Sequence, residues 1–250
     1  MHLHSAGSVV DDVVIPFAYV RVPAPAARSA LEDLQRQYSA ATPIIVAGKT
    51  NSLHLLFDEP PTLSPEELIE RSSRGDGWSL QLAYERDLHD RRMARLKALN
   101  APAALIWDWR PPQSIDVSAI VNEPWPEPLP QPMDLSTRAQ DDPVCVILIP
   151  TVRSWEAPAY LHFGGWNACP APWVHVAYAR EWSARFGARL VALKHDLLEY
   201  EIARPISSRE DALAMAAVHA YYGANISPAV SIAQHAASLL GARLWQFWWD

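Results

Sequence analysis

The stretch Phe163–His175, FGGWNACPAPWVH, gathers two glycines, two tryptophans, two prolines, a histidine and one of the chain's two cysteines. Cys169 stands just ahead of Pro170 and Pro172, at the expected first turn of a helix. Unpaired backbone N–H groups and the positive end of the helix dipole stabilise a thiolate at such a place. A histidine within reach would make that thiol a nucleophile. His175 follows by about a turn and a half of helix. His162 sits on an expected strand before the turn and approaches the thiol across the loop. Asn167 caps the helix or orients a histidine, and the N–H groups of Gly164–Cys169 form an oxyanion site. The same residues also describe a folding device: Gly164-Gly165 make a tight turn, Asn167 caps, the prolines fix the helix start, and Cys169 is a small buried hydrophobe. A lone cysteine points to the folding device first, with the nucleophile as its alternative.

Other side chains offer less. His162, His175, His195, His219 and His235 fall in the C-terminal part with Asp196 and Glu199, but in no HExxH, CxxC or similar spacing, so no metal and no cofactor is assigned. His195-Asp196 reads as the tip of a hairpin, and His219 and His235 as core or interhelix histidines. Gly48–Asn51 (GKTN) is not read as a phosphate loop: the pattern's first glycine would fall at Pro43, and a strand over Leu53–Phe57 is expected where a helix is required. Glu199 and Glu201 share one strand face, expected to be the solvent face. The aromatic residues divide between a core and a candidate binding patch, for which Trp166, Trp173, Tyr221, Tyr222 and Trp248 are named.

Elements must position these groups. Val13–Val22 reads as a strand, Pro25–Tyr38 as a helix, and Pro43–Ala47 as a short strand. Ser64-Pro65-Glu66-Glu67 carries a capping box with proline at the first helical position, so a helix starts there. Another helix is expected over Ser79–Leu99 and a strand over Ala103–Trp109. Pro111–Pro143 is proline-dense, an extended connector that divides an N-terminal α+β region (1–110) from a C-terminal domain (144–250). Val144–Ile149 is a continuous apolar run, the mark of a strand buried on both faces, with Tyr160–Phe163 as its expected partner. Then come a helix over Ala171–Phe186 stopped by Gly187, a hairpin of Arg189–Lys194 and Leu197–Ala203, helices from Ser207/Ser208 to Tyr222 and over Pro228–Leu240, and an aromatic strand, Arg243–Trp249. The class is α+β: a mixed β-sheet packed with helices, with a β-hairpin and a terminal aromatic strand in the C-terminal domain.

VILIP (Val146–Pro150), GGWNACP (Gly164–Pro170), RFGARLVAL (Arg185–Leu193), ARPISSREDALAMA (Ala203–Ala216) and the terminal WQFWWD occur in the order seen in the DUF4253 domain family, which the last 110 or so residues resemble. The resemblance implies a fold family and a bacterial origin. It carries over no activity, cofactor or functional residue.

The chain has 250 residues and a net charge of −7 without a Lys/Arg cluster, which argues against a dedicated nucleic-acid binder. No apolar run is long enough to span a membrane, and the N-terminus lacks a secretory pattern. A cytoplasmic protein with reduced thiols is expected. Two functions follow. The first is a non-catalytic protein-interaction protein, with an immunity type as its narrower form, that meets a protein partner through an acidic and aromatic surface. The second is a thiol-dependent hydrolase or transferase with Cys169 as nucleophile, His162 or His175 as base and Asn167 as orienting residue.

Overall fold

The computed structural model describes residues 2–46, 50–57, 62–102, 104, 108, 110–111, 124–135, 143–223 and 231–249. In chain order the strands are β1 (Leu3–His4), β2 (Ser8–Val10), β3 (Val13–Ile15), β4 (Ala18–Pro23), β5 (Thr42–Val46), β6 (Pro143–Ile149), β7 (Ala188–Lys194), β8 (Leu197–Ile202) and β9 (Leu244–Trp248). The helices are α1 (Ala27–Gln37), α2 (Thr50–Phe57), α3 (Pro65–Ser72), α4 (Gly77–Ala98), α5 (Ala157–Tyr160), α6 (Pro172–Phe186), α7 (Arg209–Tyr222) and α8 (Ile232–Leu239). The fold is α+β. Seven strands form one mixed sheet in the order β1-β4-β6-β5-β7-β8-β9, and β2 and β3 form a separate hairpin.

The apolar runs occupy the middle of the large sheet. β5 pairs antiparallel with β6 and parallel with β7, so strands from both sides of the connector are neighbours. One face carries Ile44, Ile147, Leu190, Tyr200 and Phe247 against α6, α7 and α8. The other carries Ile45, Val146, Val191 and Leu197 against Ala27, Leu31 and Leu34 of α1. Helices on both faces explain why these strands do not alternate apolar with polar. A bulge between Leu190 and Ala192 lets Leu190 and Leu193 face one layer and Val191 and Ala192 the other. β7 and β8 form the expected hairpin.

Local signals place the helix ends. Ser64 accepts from Glu67 N–H while Glu67 accepts from Ser64 N–H at 2.7 Å, the complete capping box. α4 begins two residues earlier than the sequence indicates, capped by Asp76, which accepts from Ser79 N–H. Gly187 closes α6 with φ +62°. α3 and α4 lie along α6, where Arg180 Nη2 donates to Ser72 O at 2.8 Å and Gly77 N–H to Glu181 at 2.6 Å.

Four expectations change. Val13–Val22 is two strands in different sheets, because Pro16 supplies no ladder donor and the chain bends at 16–17. Leu53–Phe57 is helical. So short an apolar run fits either period, and the absence of a following helix no longer argues against a phosphate loop there; Pro43 in place of glycine still does. Tyr160–Phe163 ends α5 and turns, rather than pairing with β6, whose neighbours are β4 and β5. Glu199 is fully buried, not on a solvent face. It accepts from Arg28 at 2.7 Å, from Gln246 at 2.7 Å and from Leu135 N–H at 2.8 Å, under α1 and residues 124–135. Burial raises its pKa despite these bonds. Glu201, more exposed, pairs with Arg28 and Arg189. The strand expected over Ala103–Trp109 falls largely outside the described residues. Of the connector, residues 111, 124–135 and 143 are described, and 124–135 run as a strap that buries Leu135 in the α1 layer.

Candidate functional site

Between α5 and α6 the backbone turns left-handed four times, at His162 (φ +49°), Gly164 (+106°), Gly165 (+86°) and Asn167 (+44°). Gly165 N–H donates to Pro170 O at 2.8 Å, and Cys169 N–H donates to Trp166 O at 2.8 Å, closing the loop on itself. Gly164 has no space for a side chain: a Cβ there would stand 2.1 Å from Pro170 O and 2.6 Å from His175 Nε2. Asn167 does not cap α6. The cap position is Ala171, which makes no side-chain bond, and exposed Asn167 instead takes the left-handed conformation that its short polar side chain tolerates. Pro172 opens the helix as expected.

This loop folds Cys169 back over the first turn of α6. Its Sγ lies 3.3 Å from His175 Nε2, and His175 Nδ1 lies 2.6 Å from Tyr222 OH. Phe163 and Trp249 box the imidazole, each ring centroid 5.1 Å away, and Trp249 Nε1 donates to Tyr222 O at 3.1 Å. The Cys169–His175 spacing thus brings the two side chains together. His162 does not join them: its positive φ turns the ring toward the start of α3, with Nε2 2.8 Å from Leu63 O.

Burial governs the chemistry of this group. Cys169 is 1 % exposed and His175 fully enclosed. Desolvation pushes the thiol far above its usual range, outweighing the bond from Gly165 N–H that favours the thiolate. It lowers His175 to about 3, with Pro170 O pulling weakly the other way. Tyr222 is pushed up for the same reason. Near neutrality the three are uncharged, a thiol–imidazole–phenol chain and not a thiolate–imidazolium pair.

Above the loop opens a cleft of about 800 Å³. Gly164, Gly165, Ala171 and Pro172 line it and separate it from the Cys169 sulfur. Trp166, Trp173 and Trp248 edge the cleft together with Leu55, Leu56, Tyr84 and Leu88, and Asn167, His162, His195, Asp196 and Arg91 add polar points. Asp196, at the β7–β8 tip, holds Trp248 by accepting from its Nε1 at 3.0 Å. Trp173 is fixed edge-on to Tyr84, centroids 5.7 Å apart, with the Arg71 guanidinium 5.1 Å over its ring. Three of the expected binding residues therefore meet at one surface. Tyr221 lies elsewhere, its OH donating to Glu85 at 2.8 Å and its ring against Trp78 at 4.3 Å. Tyr222 is interior, because its side of α7 faces the aromatic core. Sequence reasoning missed Leu55 on α2 and Tyr84 and Leu88 on α4; the available signal was apolar residues left over on otherwise solvated faces. It also read His195-Asp196 as a tip without seeing that the tip reaches the cleft.

Among the described residues no group of three or more His, Cys, Asp or Glu is arranged to hold a metal ion, and no helix is long and apolar enough to cross a membrane.

Fold and site together define an α+β protein with an aromatic-rimmed cleft over a buried Cys–His–Tyr chain. Residues 145–250 match the model of a protein family described as Domain of unknown function (DUF4253), in agreement with the resemblance of the GGWNACP and WQFWWD segments. The match begins within β6 and takes in the loop, the Cys–His–Tyr chain and the β7–β8 tip. No curated protein and no solved structure matches the chain.

Proposed function

We propose that this chain is a non-catalytic protein-interaction protein of immunity type, acting in a bacterial cytoplasm, and that the aromatic cleft is its recognition surface. One observation carries this reading. Trp182, Trp245 and Trp249 fill the core, whereas Trp166, Trp173 and Trp248 keep part of their surface exposed and converge on a single cleft. Tryptophans held at the edge of a concavity, each braced by a neighbour, have the character of interface anchors. The partner's matching feature is an apolar or aromatic segment, since the cleft's wall is mostly Leu, Phe, Tyr and Trp.

A photo-crosslinking side chain placed at Leu55 or Leu88, on the cleft rim, should capture one discrete protein in the native cell, while the same group at exposed Val152 should not. Trp166→Ala and Trp248→Ala should each weaken binding of that protein by tenfold or more, as hot-spot truncations do. Equal capture at all three positions, or binding indifferent to both tryptophans, would rule the cleft out.

The thiol-dependent reading, a hydrolase or transferase using Cys169, has the 3.3 Å Cys169–His175 approach in its favour. It requires the Gly164–Pro172 loop to open, because substrate otherwise meets backbone and not sulfur.

A further inference from the structure

A second hollow, of about 150 Å³, lies away from the cleft, among β9, α7, α8 and strap residues 129–132. The strap is tied down over it: Leu129 N–H donates to Ser238 Oγ at 2.7 Å, and Gln131 Nε2 donates to Ser238 O at 2.8 Å. Leu129, Leu239, Leu244 and Phe247 make its walls largely apolar.

Two nitrogens break that pattern. His219 and Trp245 both line the hollow and are 4 % and 2 % exposed. Among the described residues neither His219 Nε2 nor Trp245 Nε1 has a hydrogen-bond partner. A buried polar group left unpaired is costly, so two beside one cavity mark where an acceptor belongs. Their rings stand edge to face with centroids 4.7 Å apart. Trp245 Nε1 can only donate. His219 Nδ1 lies 3.3 Å from His235 Nε2, so its Nε2 donates or accepts according to which histidine supplies that bond's proton. Charge is excluded from the occupant. Among the described residues no Arg, Lys, Asp or Glu lines the hollow, and burial keeps His219 and His235 neutral, His235 falling to about 4. An ion would enter unpaired. A single ring fits, because a volume of about 150 Å³ accommodates a benzene-sized molecule.

We propose that the hollow beneath the 129–132 strap is a binding site for a neutral, single-ring small molecule bearing a hydrogen-bond acceptor, received by Trp245 Nε1 and His219 Nε2. It is separate from the aromatic cleft and does not depend on the reading given for that surface.

The full chain with ¹⁵N-labelled tryptophan is titrated with cyclohexanone and with methylenecyclohexane, which match in shape but differ in the acceptor. The Trp245 indole resonance is assigned from Trp245→Phe. Cyclohexanone should shift that resonance saturably and bind about tenfold tighter than the hydrocarbon, the ratio that one made hydrogen bond gives. Cyclohexanecarboxylate at neutral pH should not compete. In Trp245→Phe, checked by circular dichroism for native structure, the preference for cyclohexanone over the hydrocarbon should shrink, since only His219 Nε2 remains to meet the acceptor. The proposal is overturned if neither probe gives a saturable shift of Trp245, which leaves a hollow that takes water only. It is overturned equally if the two probes bind alike to the native chain, or if the carboxylate binds best. Should Trp245→Phe fail to fold, the comparison of the probes on the native chain decides alone, with the indole assigned by through-space contacts to Phe186 and His219.

Discussion

At the residue scale the question is what a cysteine, a histidine and a tyrosine do when water is removed from all three. A helix N-terminus favours a thiolate, and from sequence that effect is visible while burial is not. In the structure desolvation is the larger effect, and it makes the group neutral. The consequence can be measured through His175, which takes a proton at about 6.5 when unfolded and at about 3 when folded. Between those values the unfolded chain binds the extra proton, so acid draws the equilibrium toward unfolding. The stability contributed by a neutral His175 is complete above about pH 6.5 and is lost as pH falls toward 3. His219 and His235 act in the same direction, whereas the raised pKa values of Glu85, Glu181 and Glu199 act against it. A difference measurement isolates the one residue. In His175→Gln, the slope of unfolding free energy against pH between 4 and 6 should be smaller than in the native chain by about one proton, ~1.4 kcal/mol per pH unit. Urea titrations at several pH values give both slopes, and identical slopes would mean that His175 is accessible to water. Site-resolved alkylation supplies the companion test for the thiol: Cys169 should label on denaturation and not before.

At the scale of elements, the Gly164–Pro172 loop is where sequence reading was most informative and also where it erred. Its role as a turn into a proline-started helix was legible, because glycine pairs and Pro at the first helical position have fixed backbone meanings. The side-chain partners were not, because four left-handed residues in six redirect His162 and Asn167 in ways that residue spacing does not encode. The two glycines are also unequal. An alanine at Gly165 meets nothing closer than Pro172 Cδ at 3.9 Å, so it carries only the strain of its positive φ. An alanine at Gly164 carries that strain and a collision with fixed backbone at Pro170 O. Gly165→Ala should therefore cost about 1–2 kcal/mol, and Gly164→Ala more than ~4 kcal/mol or the fold itself. Equal denaturation midpoints for the two would contradict the described loop. Elsewhere, elements with strong local signals fell where expected: the capping box at Ser64, the stop at Gly187 and the β7–β8 hairpin. Leu53–Phe57 failed because a five-residue apolar run has no period to read. Glu199 failed because strand alternation predicts a face, but not whether α1 and the strap will cover it.

At the scale of the whole molecule, the proline-dense connector looks like a boundary in sequence, yet the sheet crosses it. β6 is flanked by β4 and β5, and β7 by β5. A fragment of residues 144–250 would keep the loop, the Cys–His–Tyr chain and the segment matched by the family, but would expose both edges of β6 and one edge of β7. Such apolar edges invite association. That fragment should melt without the cooperative transition of the full chain, and adding residues 1–135 should restore it; a cooperative melt of the fragment alone would show two independent units. The same topology constrains synthesis on the ribosome. Ile45 lies opposite Val146 on one side and Ala192 on the other, so the strand at the centre of the sheet emerges long before either neighbour exists. Until the chain has been translated past β6, TPIIV has no partner along either edge, and until it has passed β7 one edge stays open. The nascent chain must stay clear of aggregation through that interval, and its acquisition of native structure belongs late in translation, or after release, with a rate limited by long-range closure and not by helix formation.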